Sequence, residues 1–160
     1  MMPRKGQISQ VFIYVTTLLI VALVLFYGYR AISTFKERAD QVSFIQMKND
    51  IENSIESISV DYGSVKAKEF PLPQDIREVC IISSYPGLPK LSGTQYPLIE
   101  DSVNSGVMKN IFLIGQQNAG ESFYVEKVQI ENDILCVPSI SNKLVLKMEG
   151  MGNHAIISQG

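Results

Sequence analysis

The hydrophobic pattern separates a long apolar segment near the start of the chain from a mixed segment that follows it. No charged residue occurs between Lys5 and Arg30. As a helix with a rise of about 1.5 Å per residue, this segment is roughly 36 Å long, enough to cross a hydrocarbon core of about 30 Å. The pattern therefore predicts one transmembrane helix. The residues that we expect to contact lipid or neighbouring helices are Val11, Phe12, Leu18, Leu19, Val21 and Leu25. A buried core helix of a soluble domain is the alternative, but such helices normally carry a polar stripe, which this run lacks.

Helical periodicity continues beyond this segment to about residue 59. Two series of apolar residues recur there at steps of three and four, and the two stripes are offset around the helix. We expect the first stripe to meet neighbours or lipid headgroups and the second to pack on the chain's own globular domain. A helix packed on its own domain throughout is the alternative. The first series is Ile32, Phe35, Ala39 and Val42, and the second is Phe44, Met47, Ile51, Ile55 and Ile58.

Beyond Gly63 the period changes to that of short strands separated by turn residues. Because connections this short favour antiparallel pairing, we expect a meander. In the stretch 122–130 the alternation slips, as a bulge near Glu126 and Lys127 would produce. The predicted strands are 65–70, 77–82, 110–114, 122–130, 134–137, 144–148 and 154–158, with a short helix or turn at 98–107. The predicted fold class is α+β, a long N-terminal transmembrane and stalk helix followed by a small antiparallel β-rich head domain.

The charge of the chain excludes one class of binding partner. The chain has 160 residues and a formal net charge of -2, and it has no basic cluster after its first residues. Binding of nucleic acid through phosphate neutralisation is therefore not expected. About 100 residues remain after the helix, which suits one small domain.

Cys80 and Cys136 are the only cysteines, and each lies in an apolar, strand-like context. They are a candidate disulfide, and the alternative is that both are small buried hydrophobic residues. Two distant cysteines and the single His154 do not supply a metal-ligand set.

Catalytic motifs are missing from the sequence. His154 follows a glycine-rich turn, and Glu100 and Asp101 are adjacent acids rather than a convergent pair. We find no nucleophile elbow, phosphate-binding glycine loop or His-Glu-x-x-His string. We therefore expect no enzyme activity, no cofactor and no metal.

The start of the chain carries a motif, Arg4-Lys5-Gly6-Gln7-Ile8-Ser9, directly before the apolar helix. It resembles the class III, prepilin-type signal of archaeal type IV pilins, in which a basic leader ending in glycine is removed by a prepilin peptidase. The resemblance implies a processing site at Lys5, Gly6 and Gln7, with cleavage after Gly6. It further implies a leader at 1–6, a transmembrane and stalk helix at 7–60 and an exported head at 64–160. An uncleaved signal anchor fits the apolar run equally well.

The fifth position of the mature chain would be Val11, where the family usually has glutamate. The expected function is a structural pilin-like subunit, including a minor or tip subunit, whose partners are membrane lipid, prepilin peptidase and other pilin subunits. Its expected location is the cell membrane, as a single-pass protein with its C-terminal domain outside, or an extracellular filament. The alternatives are a membrane-anchored extracellular binding domain that does not polymerise and a membrane-tethered enzyme.

Overall fold

The structure is a computed structural model that describes residues 7–115 and 119–160. The chain divides into two compact units, Met1–Gln41 and Val42–Gly160. A single helix, α1 (Gln7–Ser59), runs through the first unit and into the second. The predicted head begins at residue 64, whereas the second unit begins at Val42, because the C-terminal part of α1 supplies part of the head's core.

Helix α1 contains no proline, and it ends where the sequence places a terminator. The Asp61 amide donates to the Ile58 carbonyl at 3.0 Å, and Gly63 adopts a left-handed φ of 76°. Glycine is the residue that adopts this conformation at least cost, so the chain can turn there into the first strand. The prediction that the helix continues to about residue 59 is confirmed.

The two apolar stripes of α1 differ in burial. In the first series, Ile32, Phe35 and Val42 are 71%, 77% and 53% exposed. The second series is buried in the head, apart from Phe44, which packs against the border of the core. The prediction that the second stripe packs on the chain's own domain is confirmed.

The head contains two four-stranded sheets. The first has the order β1-β7-β8-β5 and the second has the order β4-β3-β2-β6. The strands are β1 (Val65–Pro71), β2 (Ile76–Ile81), β3 (Ile111–Gly115), β4 (Ala119–Phe123), β5 (Val128–Gln129), β6 (Leu135–Pro138), β7 (Lys143–Gly150) and β8 (Ala155–Gln159), and a short helix, α2 (Pro97–Asn104), precedes β3. The α+β layout, an apolar N-terminal helix followed by mainly antiparallel sheets, is therefore present.

The predicted meander is wrong for the head as a whole. Only β2, β3 and β4, and separately β7 and β8, pair in sequence order, whereas the chain changes sheet after β1, β4, β5 and β6, and β5 pairs with β8 in parallel. The single strand predicted at 122–130 is also wrong. The chain leaves the second sheet after Phe123 and enters the first at Val128, with Lys127 at a φ of 61°. The buried Asn110 side chain holds this crossing, since its Oδ1 accepts from the Val125 amide at 2.8 Å and its Nδ2 donates to the Val125 carbonyl at 3.0 Å. The slip in alternation marks a change of sheet, not a bulge.

Both faces of the second sheet are covered. One face joins the first sheet and the buried stripe of α1 in the main core, and the other packs against α2 and the loop before it. The main core includes Met47, Ile51, Ile55, Ile58, Phe70, Val79, Leu113, Leu146 and Ile157, and the smaller cluster comprises Cys80, Ile82, Leu91, Ile99, Val103 and Phe112. Because the core contains helix residues, the head is complete only from about Val42 onward.

Candidate functional site

The segment Val11–Ile32 of α1 is long and apolar enough to cross a membrane, and none of it is buried within the described protein. Its 22 residues correspond to about 33 Å of helix, slightly more than a hydrocarbon core of about 30 Å. Each large apolar side chain gains roughly 1.5–3 kcal/mol when it leaves water. This segment therefore favours an apolar environment that the rest of the chain does not supply.

The apolar residues predicted to contact lipid or other helices are all exposed. At about 100° per residue they cover roughly half of the circumference of α1. Ile13, Ile20 and Val24 on the other half are 59%, 54% and 65% exposed, as expected for a helix surrounded by lipid or by other helices. The exposed fractions are 61% for Val11, 71% for Phe12, 74% for Leu18, 55% for Leu19, 52% for Val21 and 68% for Leu25.

Two threonines lie in the interior of this segment, whose one charged residue, Arg30, is near its C-terminal end. The Thr16 hydroxyl donates to the Phe12 carbonyl and the Thr17 hydroxyl donates to the Ile13 carbonyl, each at 2.8 Å. A hydroxyl that bonds within its own helix needs no water partner. These two hydroxyls therefore leave the surface of the segment suited to an apolar environment.

Tyr14, Tyr27 and Tyr29 lie toward the ends of the segment and are exposed. Amphipathic rings of this kind are favoured at the boundary between hydrocarbon and water. Of the predicted processing residues, Lys5 and Gly6 lie outside the described residues, and Gln7 is the first residue of α1.

In the head, Cys80 and Cys136 form a disulfide between the adjacent strands β2 and β6, where they are direct partners in the register. The Glu78 carboxylate and the two sulfur atoms lie within 4.8 Å of one another. Because the sulfurs are bonded to each other, neither is a thiolate available to a metal ion.

Glu78 has a partner that the sequence pattern did not reveal. The Tyr96 hydroxyl donates to the Glu78 carboxylate, and this hydrogen bond, together with burial, raises the pKa of Tyr96 above its usual value. Arg77 Nη2 lies 3.8 Å from the same carboxylate. Tyr96 comes from the loop before α2, so sequence spacing gave no signal for this contact. The Tyr96–Glu78 hydrogen bond therefore ties that loop to β2.

The other chemically active side chains have structural partners. The His154 ring stacks on Tyr85 with 4.3 Å between centroids, and its Nδ1 lies 2.6 Å from Asn153 Oδ1. Glu100 accepts a hydrogen bond from the Thr94 amide at 3.2 Å, which fixes the start of α2. The neighbours of His154 are therefore the Asn153 amide and the Tyr85 ring, and Glu100 holds the loop that precedes α2.

Two grooves flank the part of α1 that packs on the head. The basic groove has a cavity volume of about 420 Å³ and lies between α1 and β1. The acidic groove has a cavity volume of about 310 Å³ and lies between α1 and the crossing from β4 to β5. The basic groove is lined by Asn53, Ser54, Ser57, Lys66, Ala67, Lys68 and Met148, and the acidic groove by Glu52, Glu56, Tyr124, Val125, Glu126 and Lys127.

Comparison with protein-family models, with curated proteins and with solved structures finds no match for this chain. The arrangement itself is therefore the basis for a functional assignment.

Proposed function

We propose that the chain is a structural pilin-like subunit. It is anchored in the membrane by its N-terminal helix and assembles into a type IV pilus-like filament, as a major, minor or tip subunit. One observation carries the proposal: an apolar helical segment with no buried residue, Val11–Ile32, begins two residues after the motif Arg4-Lys5-Gly6-Gln7-Ile8-Ser9.

The distribution of burial along α1 supports this proposal. An apolar helix leaves lipid readily only when another apolar environment receives it, and parallel helices of neighbouring subunits would provide one. The exposed surface of the first unit offers that contact, while the buried stripe from Met47 to Ile58 belongs to the head. In this proposal the first part of α1 anchors the subunit, and the second part of the same helix carries the head.

The head is consistent with an exported location. Disulfides persist mainly in oxidising compartments outside the cytoplasm, and Cys80 and Cys136 form one. A head held by a disulfide and two sheets suits a surface subunit, and no convergent catalytic group lies in the part of the chain that the structure describes.

A second candidate function is a single-pass membrane-anchored binding domain that does not polymerise. Val11 favours it, because this position of the pilin family usually carries the acid that meets the amino terminus of a neighbouring subunit. The two functions share the anchor and differ in whether copies associate.

Mass spectrometry of the native protein tests the processing step. We expect a mature chain that begins at Gln7, and a Gly6→Leu variant that keeps its first six residues. An intact terminus at Met1 or Met2 in the native protein contradicts the pilin assignment. Micrographs then separate the two candidates, since ordered fibres support the pilin-like subunit and discrete detergent-bound monomers support the anchored binding domain.

A further inference from the structure

The free edge of strand β1 is the starting point. β1 is the outer strand of its sheet and pairs only with β7 among the described strands. The Gly150 amide donates to the Ser64 carbonyl and the Leu72 amide donates to the Asn142 carbonyl, so even-numbered residues direct their backbone groups toward β7. The backbone groups of Val65, Ala67 and Glu69 therefore point away from the sheet. This edge is open to a partner.

The charged side chains of β1 on the face of the sheet that α1 covers are basic. Lys66 and Lys68 lie opposite Met148 and Leu146 of β7, on the face of the sheet that α1 covers. Lys68 Nζ donates to Ser54 Oγ at 2.8 Å, which fixes that ammonium group between β1 and the helix. Among its described lining residues the basic groove contains two lysines and no carboxylate.

The same charges disfavour pairing of two β1 strands across a two-fold axis. An antiparallel pair centred on Ala67 would place Lys66 of each copy opposite Lys68 of the other. Like charges directly opposite each other on paired strands are destabilising. A partner that brings negative charge to this edge avoids the repulsion.

The acidic groove of a second copy is such a partner. Glu52 and Glu56 are one helical turn apart on α1, and Glu126 lies across the groove from them. Lys48 lies 3.8 Å from Glu52, and Lys127 shares the groove. Glu56 and Glu126 are exposed and are the carboxylates available to two incoming lysines.

The two grooves lie on opposite sides of the same helical stripe. At about 100° per residue, Glu52 and Glu56 follow the buried stripe of Ile51 and Ile55 on one side, while Asn53 and Ser57 lie on the other. A contact between unlike surfaces is heterologous, and such contacts generate rings or open helical arrays rather than closed dimers.

We propose that neighbouring copies of this chain dock side by side, with the acidic groove of one copy against the basic groove and β1 edge of the next. The inference rests on the proposed function, because it supplies the contact between heads in an open array of parallel subunits. Lys66 and Lys68 of one copy pair with Glu56 and Glu126 of its neighbour. Charge selects the partner surface, and the open edge of β1 lies within the contact.

Carbodiimide cross-linking of the full-length chain, in membranes and in any filaments that form, tests the contact. The reagent joins a lysine amine to a carboxylate in contact with it. We expect a ladder of covalent multimers whose linked peptides join Lys66 or Lys68 to Glu56 or Glu126. Linked peptides that never involve these residues would overturn the proposal.

Charge reversal provides the second arm. We expect Lys66→Glu with Lys68→Glu, or Glu56→Lys with Glu126→Lys, to reduce the ladder about tenfold or more, because like charges then face each other and the proposed amine–carboxylate pairs are lost from the contact. All four changes in one chain restore complementarity and should restore the ladder. The matched control is Lys90→Glu with Lys147→Glu, which changes the same charge at exposed positions outside both grooves and should leave the ladder intact.

Micrographs of the same samples separate this inference from the proposed function. If the wild type forms filaments and the charge-reversal variants give the same ladder as the wild type, the groove contact is overturned and the pilin-like assignment stands. A ladder mapped to the grooves without any filament supports the contact and counts against the pilus. Monomers with neither ladder nor filament overturn both.

Discussion

Gly150 packs directly against the end of α1, where a Cβ at position 150 would overlap the carbonyl oxygens of Ile58 and Asp61. The same residue accepts from the Gly63 amide at 2.8 Å and donates to the Ser64 carbonyl at 2.9 Å. The last turn of the helix is therefore joined to β7 through backbone atoms, which cannot move aside as a flexible side chain would. This contact fixes the place where the helix enters the head.

We predict that Gly150→Ala destabilises the head by about 1–3 kcal/mol or more, the usual cost of forcing extra atoms into a packed site. The control is Gly87→Ala, because an added Cβ there meets no atom within 4 Å. Denaturant unfolding of the two variants measures the difference. Equal midpoints for both would show that the helix end is not held by this contact.

Ile55 and Ile45 test whether the C-terminal part of α1 belongs to the head. Ile55 is 2% exposed and Ile45 is 55% exposed on the same helix. We expect Ile55→Ala to cost about 2–5 kcal/mol of unfolding free energy, since it leaves a cavity. Ile45→Ala should change it by no more than about 0.5 kcal/mol. The idea fails if both variants unfold alike in denaturant.

Removal of the Cys80–Cys136 bond should lower stability. The two residues are 56 positions apart, and closing a loop of that size restricts the unfolded chain by roughly 4 kcal/mol. We expect the Cys80→Ala, Cys136→Ala variant to unfold at lower denaturant, with a midpoint that does not respond to added reductant. The wild-type midpoint should fall on reduction, and a wild type indifferent to reductant would contradict the prediction.

Tyr96 should make the stability of the head depend on pH in the alkaline range. The hydrogen bond to Glu78 raises the pKa of Tyr96, with burial acting in the same direction. A group whose pKa is higher in the folded state stabilises fully below its unfolded pKa, about 10 for tyrosine, and loses that contribution as pH rises through the folded value.

Tyr96→Phe should therefore be less stable than the wild type at pH near 7, and the gap should narrow above about pH 10. The control is Tyr62→Phe, because Tyr62 is 80% exposed. Denaturant unfolding near pH 7 and above pH 10 measures the difference in unfolding free energy between the wild type and Tyr96→Phe. A difference that grows at alkaline pH would contradict a raised pKa of Tyr96 in the folded state.

Leu18 and Leu98 distinguish a membrane-facing surface from a water-facing one. They are 74% and 68% exposed, Leu18 in the apolar segment of α1 and Leu98 in α2. We expect Leu18→Arg to weaken membrane insertion by about 2.5–3.5 kcal/mol, the cost of a charge at the centre of a spanning helix. Leu98→Arg should leave membrane extraction unchanged. Equal behaviour of the two variants in alkaline carbonate extraction would falsify the transmembrane assignment.

The sequence pattern predicted the local elements better than their arrangement. The helix to about residue 59 and its two stripes followed from period and from Gly63, because both signals are local. The change of sheet after Phe123 could not be predicted from the pattern. It depends on hydrogen bonds between the buried Asn110 side chain and Val125, and hydrophobic periodicity carries no information on such a contact. Parallel pairing of β5 with β8 was missed for a similar reason, because the rule used applies to consecutive strands and these two are not consecutive.

The candidate site divided in the same way. The exposed apolar segment was readable because it is one continuous run. The two grooves were not, because Lys66 and Lys68 approach Ser54 only after β1 has paired with β7. Glu126 was predicted to lie at a bulge within one strand, and its place opposite Glu56 depends on the crossing between sheets.

The shared helix also limits how the head could be shed. A protease that cut just after Ser59 would remove Met47, Ile51 and Ile55 from the core of the released fragment. The apolar side chains that pack against them would then be exposed to water. A cut before Val42 would instead free a fragment that keeps its own interior. Any soluble fragment that keeps the head folded should therefore begin at or upstream of Val42.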